Sequence, residues 1–363
     1  MRELKIGIIG AGFIGDAHAF AIKRIIKNEY FRGKADISIN AICDIDENLA
    51  EKVGKRYSIP NIYTNYVDLI ENSDTNAIFI CTPTKYHYEM FLAAANAGKN
   101  IFQEKPIADS INKIDEMIRI RGEKGIIIQV GLILRFFPWF WYIKRMIEKN
   151  REKWGSLQNV IFRDDQLKPY LGKGVHTTEW RRNPDIAYHG TLFEHSIHDI
   201  DMLRYWLGDI KNVFAHVKFF AGVSKIEDSV SVLFELVNGG SATLNSIWHN
   251  VNHDARYIEI FFENAYLAFV FGDRRTSINI WEAGNIKKRI KFKEFHESYK
   301  IEMGINNFPS PIYWGICQEI SFFRKLINNE PANPSLEDAK VAHQIVDACY
   351  LSAKEGKVIE IKN

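Results

Sequence analysis

The sequence predicts an α/β protein of two domains, and three observations lead to this fold class. The chain has 363 residues, a length that is comfortable for two domains. Its first third alternates short apolar strands with amphipathic helices, a pattern typical of a doubly wound parallel sheet. Beyond that, consecutive strands joined by tight turns predict an α+β domain with a predominantly antiparallel, open sheet. We therefore expect domains at 1–131 and 132–363.

The first strand, the following turn and the first helix carry a dinucleotide-binding motif. A buried strand from Leu4 to Ile9 precedes the turn, and a helical pattern continues to about Lys27. In this G-x-G-x-x-G turn, Gly10 permits the tight bend, Gly12 lets the backbone approach a pyrophosphate, and Gly15 allows close helix packing. The helix N-terminus then faces the phosphates. The first domain is therefore a predicted Rossmann domain, with cofactor contacts at Gly10, Gly12, Phe13, Ile14 and Gly15.

Asp44 follows the second predicted strand, Ile37 to Cys43, where an acidic residue typically binds the adenosine ribose hydroxyls. It lies further from the glycines than the usual spacing of about twenty residues, and the polar stretch Asn28 to Asp36 accounts for the difference. Asp44 and Asp46 would repel a 2′-phosphate, so NAD is the expected cofactor and NADP the less favoured one. The alternative is that Asp44 caps the helix that starts near Glu47.

A later strand of this domain, Ala77 to Cys81, ends in a loop that contains Thr82, Pro83 and His87. We expect these three residues to lie beside the nicotinamide ribose. The alternative is that Thr84 merely caps the next helix. The parallel series is completed by a helix from Tyr86 to Ala97, a strand from Asn100 to Gln103, a helix carrying Ile111, Ile114 and Ile118, and a strand from Ile126 to Val130.

The stretch Glu104-Lys105-Pro106 directly follows the strand that ends at Gln103. Open α/β sheets bind ligands at the carboxyl ends of their strands, so Lys105 lies where a nicotinamide would project. Pro106 biases Lys105 away from the helical region and favours an extended turn. Lys105 is therefore the first catalytic candidate, and both Glu104 and Lys105 are predicted cofactor contacts. The alternative is an ordinary loop with a solvated lysine.

The second domain is predicted from strands with few helices between them. They are Leu157 to Arg163, Val213 to Phe220, Ser229 to Leu236, Ser241 to Trp248, Tyr257 to Phe262 and Tyr266 to Phe271. A helix at about 336–355 carries one apolar stripe and is expected to pack back across the domain junction, before a final strand from Val358 to Ile361. Aromatic residues at strand spacing are interpreted as core or subunit interface rather than a sugar-stacking surface.

A second polar constellation lies in the segment from Gly190 to Asp201. If this segment is helical, Glu194 and His198 stand four residues apart on one face, so the carboxylate can orient and charge-stabilise the imidazole. The alternatives are a solvated surface helix, or a metal site formed by Glu194, His195, His198 and Asp199. His249 and His253 do not complete such a site, and we predict none.

Composition and charge exclude several classes of partner. The formal net charge is +2, and the longest basic runs are brief, as in Lys287-Lys288-Arg289, so neither nucleic acid nor a membrane is an expected partner. The four cysteines are Cys43, Cys81, Cys317 and Cys349, with no C-x-x-C pair. Widely spaced cysteines are typical of reduced thiols, and we expect a cytoplasmic protein.

In combination, these motifs resemble those of the Gfo/Idh/MocA family of sugar and inositol oxidoreductases. The resemblance covers nearly the full length, including Trp180-Arg181-Arg182-Asn183-Pro184 and the helix that begins with Glu337-Asp338-Ala339. It implies that Lys105 matches the motif lysine and His198 the catalytic histidine, with Glu194 where aspartate is usual. His189-Gly190-Thr191 also replaces the commoner glycine triplet. The family further implies homodimers or homotetramers built on the open sheet.

The expected activity is reversible hydride transfer between NAD and a secondary alcohol carbon of a sugar, cyclitol or related polyol. His198 takes the hydroxyl proton, Lys105 polarises the oxygen or shares in the proton relay, and Glu194 orients His198. Weaker candidates for substrate contacts are Arg135, Trp180 and Arg181. The alternatives are a glycosidase that uses NAD for transient oxidation and elimination, and a non-catalytic sensor or regulator that binds the nucleotide.

Overall fold

The computed structural model describes residues 1–170, 178–251, 254–272, 276–284, 286–305 and 316–361. The chain divides into two compact units. The first contains Met1–Phe137 and Ser298–Lys340, and the second contains Pro138–Glu297 and Val341–Asn363. The first limit lies close to the predicted boundary at residue 131, whereas the sequence did not predict that residues 298–340 group with the first unit.

The sheet of the first unit has six parallel strands in the order β3-β2-β1-β4-β5-β6. The strands are β1 (Arg2–Ile9), β2 (Ala35–Cys43), β3 (Asn61–Tyr63), β4 (Ala77–Ile80), β5 (Asn100–Gln103) and β6 (Ile128–Val130). The helices between them are α1 (Phe13–Ile25), α2 (Glu47–Tyr57), α3 (Tyr66–Asn72), α4 (His87–Asn96) and α5 (Ile111–Lys124). Strands of this kind are buried on both faces and read as apolar runs. The predicted Rossmann domain is confirmed.

The second unit contains a nine-stranded sheet in the order β14-β13-β12-β11-β7-β10-β9-β8-β15. Its strands are β7 (Leu157–Leu167), β8 (Ile210–Lys218), β9 (Ser229–Leu236), β10 (Ser241–His249), β11 (Ala255–Phe262), β12 (Ala265–Phe271), β13 (Ser277–Glu282), β14 (Ile286–Ile290) and β15 (Ile359–Glu360). Only the β7–β10 pair is parallel among the strand pairs of the described residues, which confirms a predominantly antiparallel sheet. Alternate residues of β9 are buried and exposed, so this strand turns one side of the sheet to a core.

The remaining helices follow in chain order. They are α6 (Pro138–Trp154), α7 (Pro184–Ala187), α8 (Thr191–Glu194), α9 (Ile197–Leu207), α10 (Phe292–Met303), α11 (Ile316–Asn328) and α12 (Leu336–Glu355). α12 has the bounds that its apolar stripe predicts, and α11 belongs to the first unit. Within that unit, Phe322 of α11 meets Phe79 of β4 and Phe102 of β5 edge-on, which helps to form the core on one side of the parallel sheet. Among the described residues, none of the helices has the length and apolar character that a membrane span requires.

Candidate active site

The glycine turn between β1 and α1 has the geometry that its sequence predicts. Gly10 has φ +97°, and a Cβ there would lie 2.8 Å from the carbonyl carbon of Cys81, so the turn requires glycine. A Cβ on Gly15 would overlap the carbonyl oxygen of Gly10, whereas one on Gly12 would meet no atom within 4 Å. The α1 N-terminus, with Phe13 and Ile14 in its first turn, therefore stands behind an open backbone surface, as a pyrophosphate site needs.

Asp44 lies beside this turn. Its Oδ2 accepts a hydrogen bond from the Ala11 amide at 2.7 Å, and its Oδ1 accepts one from the Asp46 amide at 3.0 Å. Asp46, and not Asp44, is the N-cap of α2, because its side chain accepts from the Asn48 amide. The alternative role of Asp44 as a helix cap is therefore wrong. A carboxylate has about four acceptor sites, so Asp44 retains capacity for ribose hydroxyls.

The loops after β4 and β5 are joined by the buried side chain of His87. Its Nδ1 lies 2.6 Å from the carbonyl oxygen of Pro106, and its Nε2 lies 2.7 Å from that of Thr82. Burial lowers the pKa of His87, and the two carbonyls act in the opposite direction. Thr84 begins a short 3-10 helix after Pro83 and is not the cap of α4. His87 thus fixes the predicted ribose loop to the Lys105 loop.

Glu104 and Lys105 directly follow β5. The Glu104 carboxylate faces inward, where its Oε1 lies 3.2 Å from Nε2 of His18 in α1. The other ring nitrogen of His18, Nδ1, lies 2.5 Å from Oε1 of Glu319 in α11. Sequence reasoning named neither His18 nor Glu319. The Lys105 side chain is half-buried at the strand's carboxyl end, as predicted.

Arg135 is buried and makes polar contacts within the first unit. Its guanidinium lies 3.1 Å from Oδ1 of Asp338 and donates to Oδ1 of Asn333 at 2.8 Å. Burial raises the pKa of Asp338, but Arg135 outweighs burial and lowers it overall. Arg135 therefore holds the beginning of α12, and its predicted contact with substrate stays a prediction.

The predicted single helix from Gly190 to Asp201 is wrong, because the chain forms two helices, α8 and α9. Ser196 lies at the break, and its hydroxyl donates to Oδ2 of Asp164 on β7 at 2.7 Å and lies 2.6 Å from the Ser246 hydroxyl on β10. These contacts with the sheet compete with a continuous helix, since serine hydroxyls favour local alternatives to helical bonding. Glu194 ends α8 and His198 lies in the first turn of α9.

The structure brings Trp180, Arg181 and Glu194 together within the second unit. Nε of Arg181 lies 3.3 Å from Oε2 of Glu194, which is 1% exposed, and the guanidinium lies 4.4 Å from the centre of the Trp180 ring. The buried carboxylate is thereby charge-paired. His198 is 7% exposed, and its ring centre lies 6.4 Å from that of His195.

The second unit also contains a buried ionic cluster of Asp164, His195, Asp199 and Arg256, which was not predicted from the sequence. Arg256 on β11 contacts Oδ1 of Asp199 through Nε at 2.6 Å and Nε2 of His195 at 2.8 Å. Burial raises the pKa of Asp164, but Arg256 and His195 outweigh it and hold that pKa well below its usual range. Burial raises the pKa of Asp199. An arginine that falls on the buried face of a strand is the one sequence signal for this cluster.

Glu227 anchors the beginning of α8. Its carboxylate accepts from the amides of Gly190 at 2.6 Å and Leu192 at 2.9 Å, and from the Tyr350 hydroxyl at 2.8 Å. A Cβ on Gly190 would lie 2.7 Å from the carbonyl carbon of Glu227, so only glycine fits. Of the three positions 189–191, where the family commonly has a glycine triplet, only position 190 makes this close approach. His189 and Thr191 can therefore replace the flanking glycines.

The metal-site alternative finds no support in the part of the chain that the structure describes, where no group of three or more potential ligands converges. Nδ1 of His249 accepts a hydrogen bond from the Val251 amide at 3.1 Å. His253 lies outside the described residues.

The fold and the glycine turn define the class of protein, a two-domain α/β protein with a dinucleotide-binding domain. Residues 4–132 match the family model described as the oxidoreductase family with an NAD-binding Rossmann fold, GFO_IDH_MocA. Residues 140–268 match the GFO/IDH/MocA C-terminal domain. The chain therefore belongs to the Gfo/Idh/MocA family, and the expectations of an NAD cofactor and of a dehydrogenase or reductase acting on CH–OH groups are confirmed at the level of the family.

Several characterised or named proteins are similar over most of the chain. The uncharacterized oxidoreductase YrbE of Bacillus subtilis is 29% identical over 82% of this chain and 83% of its own length. Levoglucosan dehydrogenase of Pseudarthrobacter phenanthrenivorans and myo-inositol 2-dehydrogenase of Thermotoga maritima are each 24% identical over 99% of both chains. A solved structure of levoglucosan dehydrogenase with NADH has a TM-score of 0.85 at 22% identity and covers 100% of both chains, which shows a shared fold.

Proposed function

We propose that this chain catalyses reversible hydride transfer between NAD and a secondary alcohol carbon of a sugar, cyclitol or related polyol. The observation that carries the proposal is that the two family domains are both present, each with its own half of the polar machinery. Lys105 lies at the carboxyl end of β5 in the first unit, and Glu194 and His198 lie at the α8–α9 break in the second. Similarity to levoglucosan and inositol dehydrogenases over 99% of the chain supports the substrate class.

The first unit supplies the cofactor site. The open backbone at Gly12 and the α1 N-terminus would bind the pyrophosphate, and the carboxylate of Asp44 would accept from the adenosine ribose hydroxyls. The loops at Thr82 and Glu104 border the nicotinamide end, and His87 holds them together. The nicotinamide supplies the redox chemistry when it is bound.

The chain's own residues handle the proton. His198 takes the proton of the reacting hydroxyl as general base, a role worth about 10² to 10⁴ in rate. Lys105 polarises the alcohol oxygen or shares in the proton relay. Glu194 and His198 lie on separate helices, so Glu194 acts on the imidazole through its charge and not through a shared helical face. Arg181 and Trp180 hold that carboxylate and would border the substrate. Mutual support of this kind is typical of acid–base sites.

The proposal predicts the kinetics of four variants. Lys105→Ala and His198→Ala should each lower kcat by about two or more orders of magnitude, and the double variant should lose little more than either alone. Glu194→Gln should cost less than His198→Ala, because it removes charge and leaves the imidazole in place. The matched control is the exposed Lys124→Ala, which should stay within about twofold of the parent.

The measurement begins with a panel of sugars and polyols, scored by NADH fluorescence, and continues with steady-state kinetics on the best substrate. Circular dichroism confirms that each variant is folded. A folded His198→Ala protein with near-normal kcat would contradict the mechanism. Release of an aglycone from aryl glycosides without net NADH would instead identify an NAD-dependent glycosidase, and failure of every substrate together with tight NAD binding would favour a sensor.

The remaining expectations stay predictions. A homodimer or homotetramer through the open sheet agrees with three exposed apolar side chains on its strands, Ile161, Phe214 and Leu233, which are 41%, 43% and 51% exposed. The cytoplasmic location rests on the cysteine pattern alone.

A further inference from the structure

His18, in the middle of α1, lies between carboxylates from two distant parts of the first unit. Its Nδ1 lies 2.5 Å from Glu319 and its Nε2 lies 3.2 Å from Glu104. The relative exposures are 3% for His18, 1% for Glu319 and 9% for Glu104. The rings of Phe79 and Phe102 meet the imidazole edge-on at 5.2 and 5.0 Å. A buried charge is costly unless it is paired, and both ring nitrogens of His18 are paired here. Among the described residues, Oε2 of Glu319 has no hydrogen-bond partner.

The geometry sets the protonation state of this group. A neutral imidazole has one N–H donor, whereas each ring nitrogen of His18 faces a carboxylate oxygen, and only the imidazolium can donate to both. Burial lowers the pKa of His18, but the bonds to Glu104 and Glu319 outweigh burial and raise it to about 9. Burial raises the pKa of Glu319. Near neutral pH His18 is therefore an imidazolium, held in a Glu319–His18–Glu104 hydrogen-bonded array.

The Glu319–His18–Glu104 array ends at the backbone of Lys105. While Oε1 of Glu104 faces His18, Oε2 of the same carboxylate lies 3.3 Å from the Lys105 amide nitrogen, which donates to it. The Glu104 amide donates to the carbonyl of Ile80 at 3.1 Å, and the carbonyl of Pro106 lies 2.6 Å from His87. The neighbours of Lys105 on both sides, Glu104 and Pro106, are thus fixed to the sheet and to α4. Fixing a reacting group in this manner matters, because a displacement of about 1 Å can cost about 10² in rate.

We propose that His18 and Glu319 are positioning residues for Lys105, acting through the carboxylate of Glu104. The inference rests on the proposed role of Lys105 and goes beyond it, because it assigns a function to two buried residues outside the cofactor and substrate sites. The competing explanation is that the Glu319–His18–Glu104 array only joins α1 and α11 to the sheet and stabilises the fold.

The test is a double-mutant cycle with Lys105. Glu319→Gln keeps the size of the side chain and an oxygen that can accept from His18, but removes the charge. It should lower kcat about tenfold or more while the dissociation constant for NAD changes by less than about twofold. In the Lys105→Ala background the same substitution should change kcat by less than about twofold, since residues that act as a unit are not additive. His18→Gln should behave in the same way.

A matched control separates positioning from stability. Phe323 lies one turn after Glu319 in α11, is fully buried, and packs against the rings of Phe31 and Phe79. Phe323→Leu should lower the thermal midpoint but leave kcat of the folded protein within about twofold. Nitrogen-15 NMR of the histidine rings should show His18, assigned from His18→Gln, doubly protonated near neutral pH. If His18→Gln does not fold, Glu319→Gln carries the cycle alone.

Each outcome has a distinct meaning. Equal loss of kcat from Glu319→Gln with and without Lys105, an equal loss in Phe323→Leu, or a neutral His18 ring near neutral pH would each overturn the positioning role. Normal turnover in Lys105→Ala would instead contradict the proposed function of Lys105. This result comes from a different variant, so the two failures can be distinguished.

Discussion

Gly131 offers a steric test of the Glu104 carboxylate that changes no charge. It follows β6, and a Cβ placed on it would lie 2.7 Å from Cδ of Glu104 and 3.0 Å from its Oε2. Gly131 is not among the glycines with positive φ, so alanine can adopt its backbone conformation without strain. Its amide donates to the carbonyl of Gln103 at 2.8 Å, a bond that alanine retains. Gly131→Ala therefore acts first on Glu104, whose carboxyl group supplies the three nearest atoms.

The expected effects of Gly131→Ala on stability and turnover follow from the space around the added methyl group. Ordinary carbon–carbon contacts are about 3.5 to 4.0 Å, so the carboxylate must move by about 1 Å to admit the new methyl group. It cannot move cheaply, because it lies 3.2 Å from Nε2 of His18 and 3.3 Å from the Lys105 amide. Overpacking of this kind costs about 1 to 3 kcal/mol in the free energy of unfolding. A shift of Lys105 by a similar distance should lower kcat by about tenfold to a hundredfold.

Urea denaturation and steady-state kinetics measure the two effects. The control is Gly122→Ala in α5, where an added Cβ meets no atom within 4 Å. Because alanine is the better helix former, this control should gain about 0.5 to 1 kcal/mol and keep normal kcat. A Gly131→Ala protein with parental stability and turnover would refute the reasoning, since it would show that Glu104 is free to move.

Two further predictions concern the cofactor and pH. NAD should bind more tightly than NADP, and Asp44→Ala should narrow the difference between the two dissociation constants by relieving repulsion of the 2′-phosphate. Tryptophan fluorescence titration measures both dissociation constants. Tighter binding of NADP by the parent would contradict the assignment. Because the pKa of His18 rises from 6.5 to about 9 on folding, its stabilisation is complete below pH 6.5 and lost as the pH rises through 9. The loss of unfolding free energy, measured by urea denaturation, is at most about 3.4 kcal/mol, and His18→Gln should not show it. An identical pH dependence in both proteins would exclude His18 as its source.

Local signals in the sequence were sufficient to predict many of the strands and turns of the first unit. The strand Asn100–Gln103 has its predicted bounds because an apolar run is enclosed by Gly98 and Pro106, and Gly10 and Gly15 occupy positions that a Cβ would obstruct. By contrast, β3 is only three residues long and was not predicted, because so short a run carries too little periodicity. The helices α10 and α11 were also not predicted, although their apolar residues are helically spaced.

The helix break at Ser196 shows why the second half of the site was harder to predict. Along the chain, Glu194 and His198 have helical spacing, and the one serine between them is only a weak local signal against a continuous helix. The opposing interactions come from Asp164 and Ser246, which are 32 and 50 residues distant in sequence. Tertiary hydrogen bonds of buried groups outweigh a local helical preference, because an unpaired buried hydroxyl or carboxylate costs more than a missing helical bond.

Residues that carry chemistry and residues that hold them differ in how local their sequence signals are. Lys105 could be predicted because its position at a strand end and its proline neighbour are local features. Its support could not, because Glu319 lies 301 residues from His18 in sequence, in a helix that was not predicted. Glu104 was predicted as a cofactor contact, yet both of its oxygens face the protein, one toward His18 and one toward the Lys105 amide. In the E-K-P stretch, the glutamate thus holds the loop, and the lysine has the proposed role at the reacting oxygen. Glu104→Gln should therefore resemble Glu319→Gln more than it resembles Lys105→Ala.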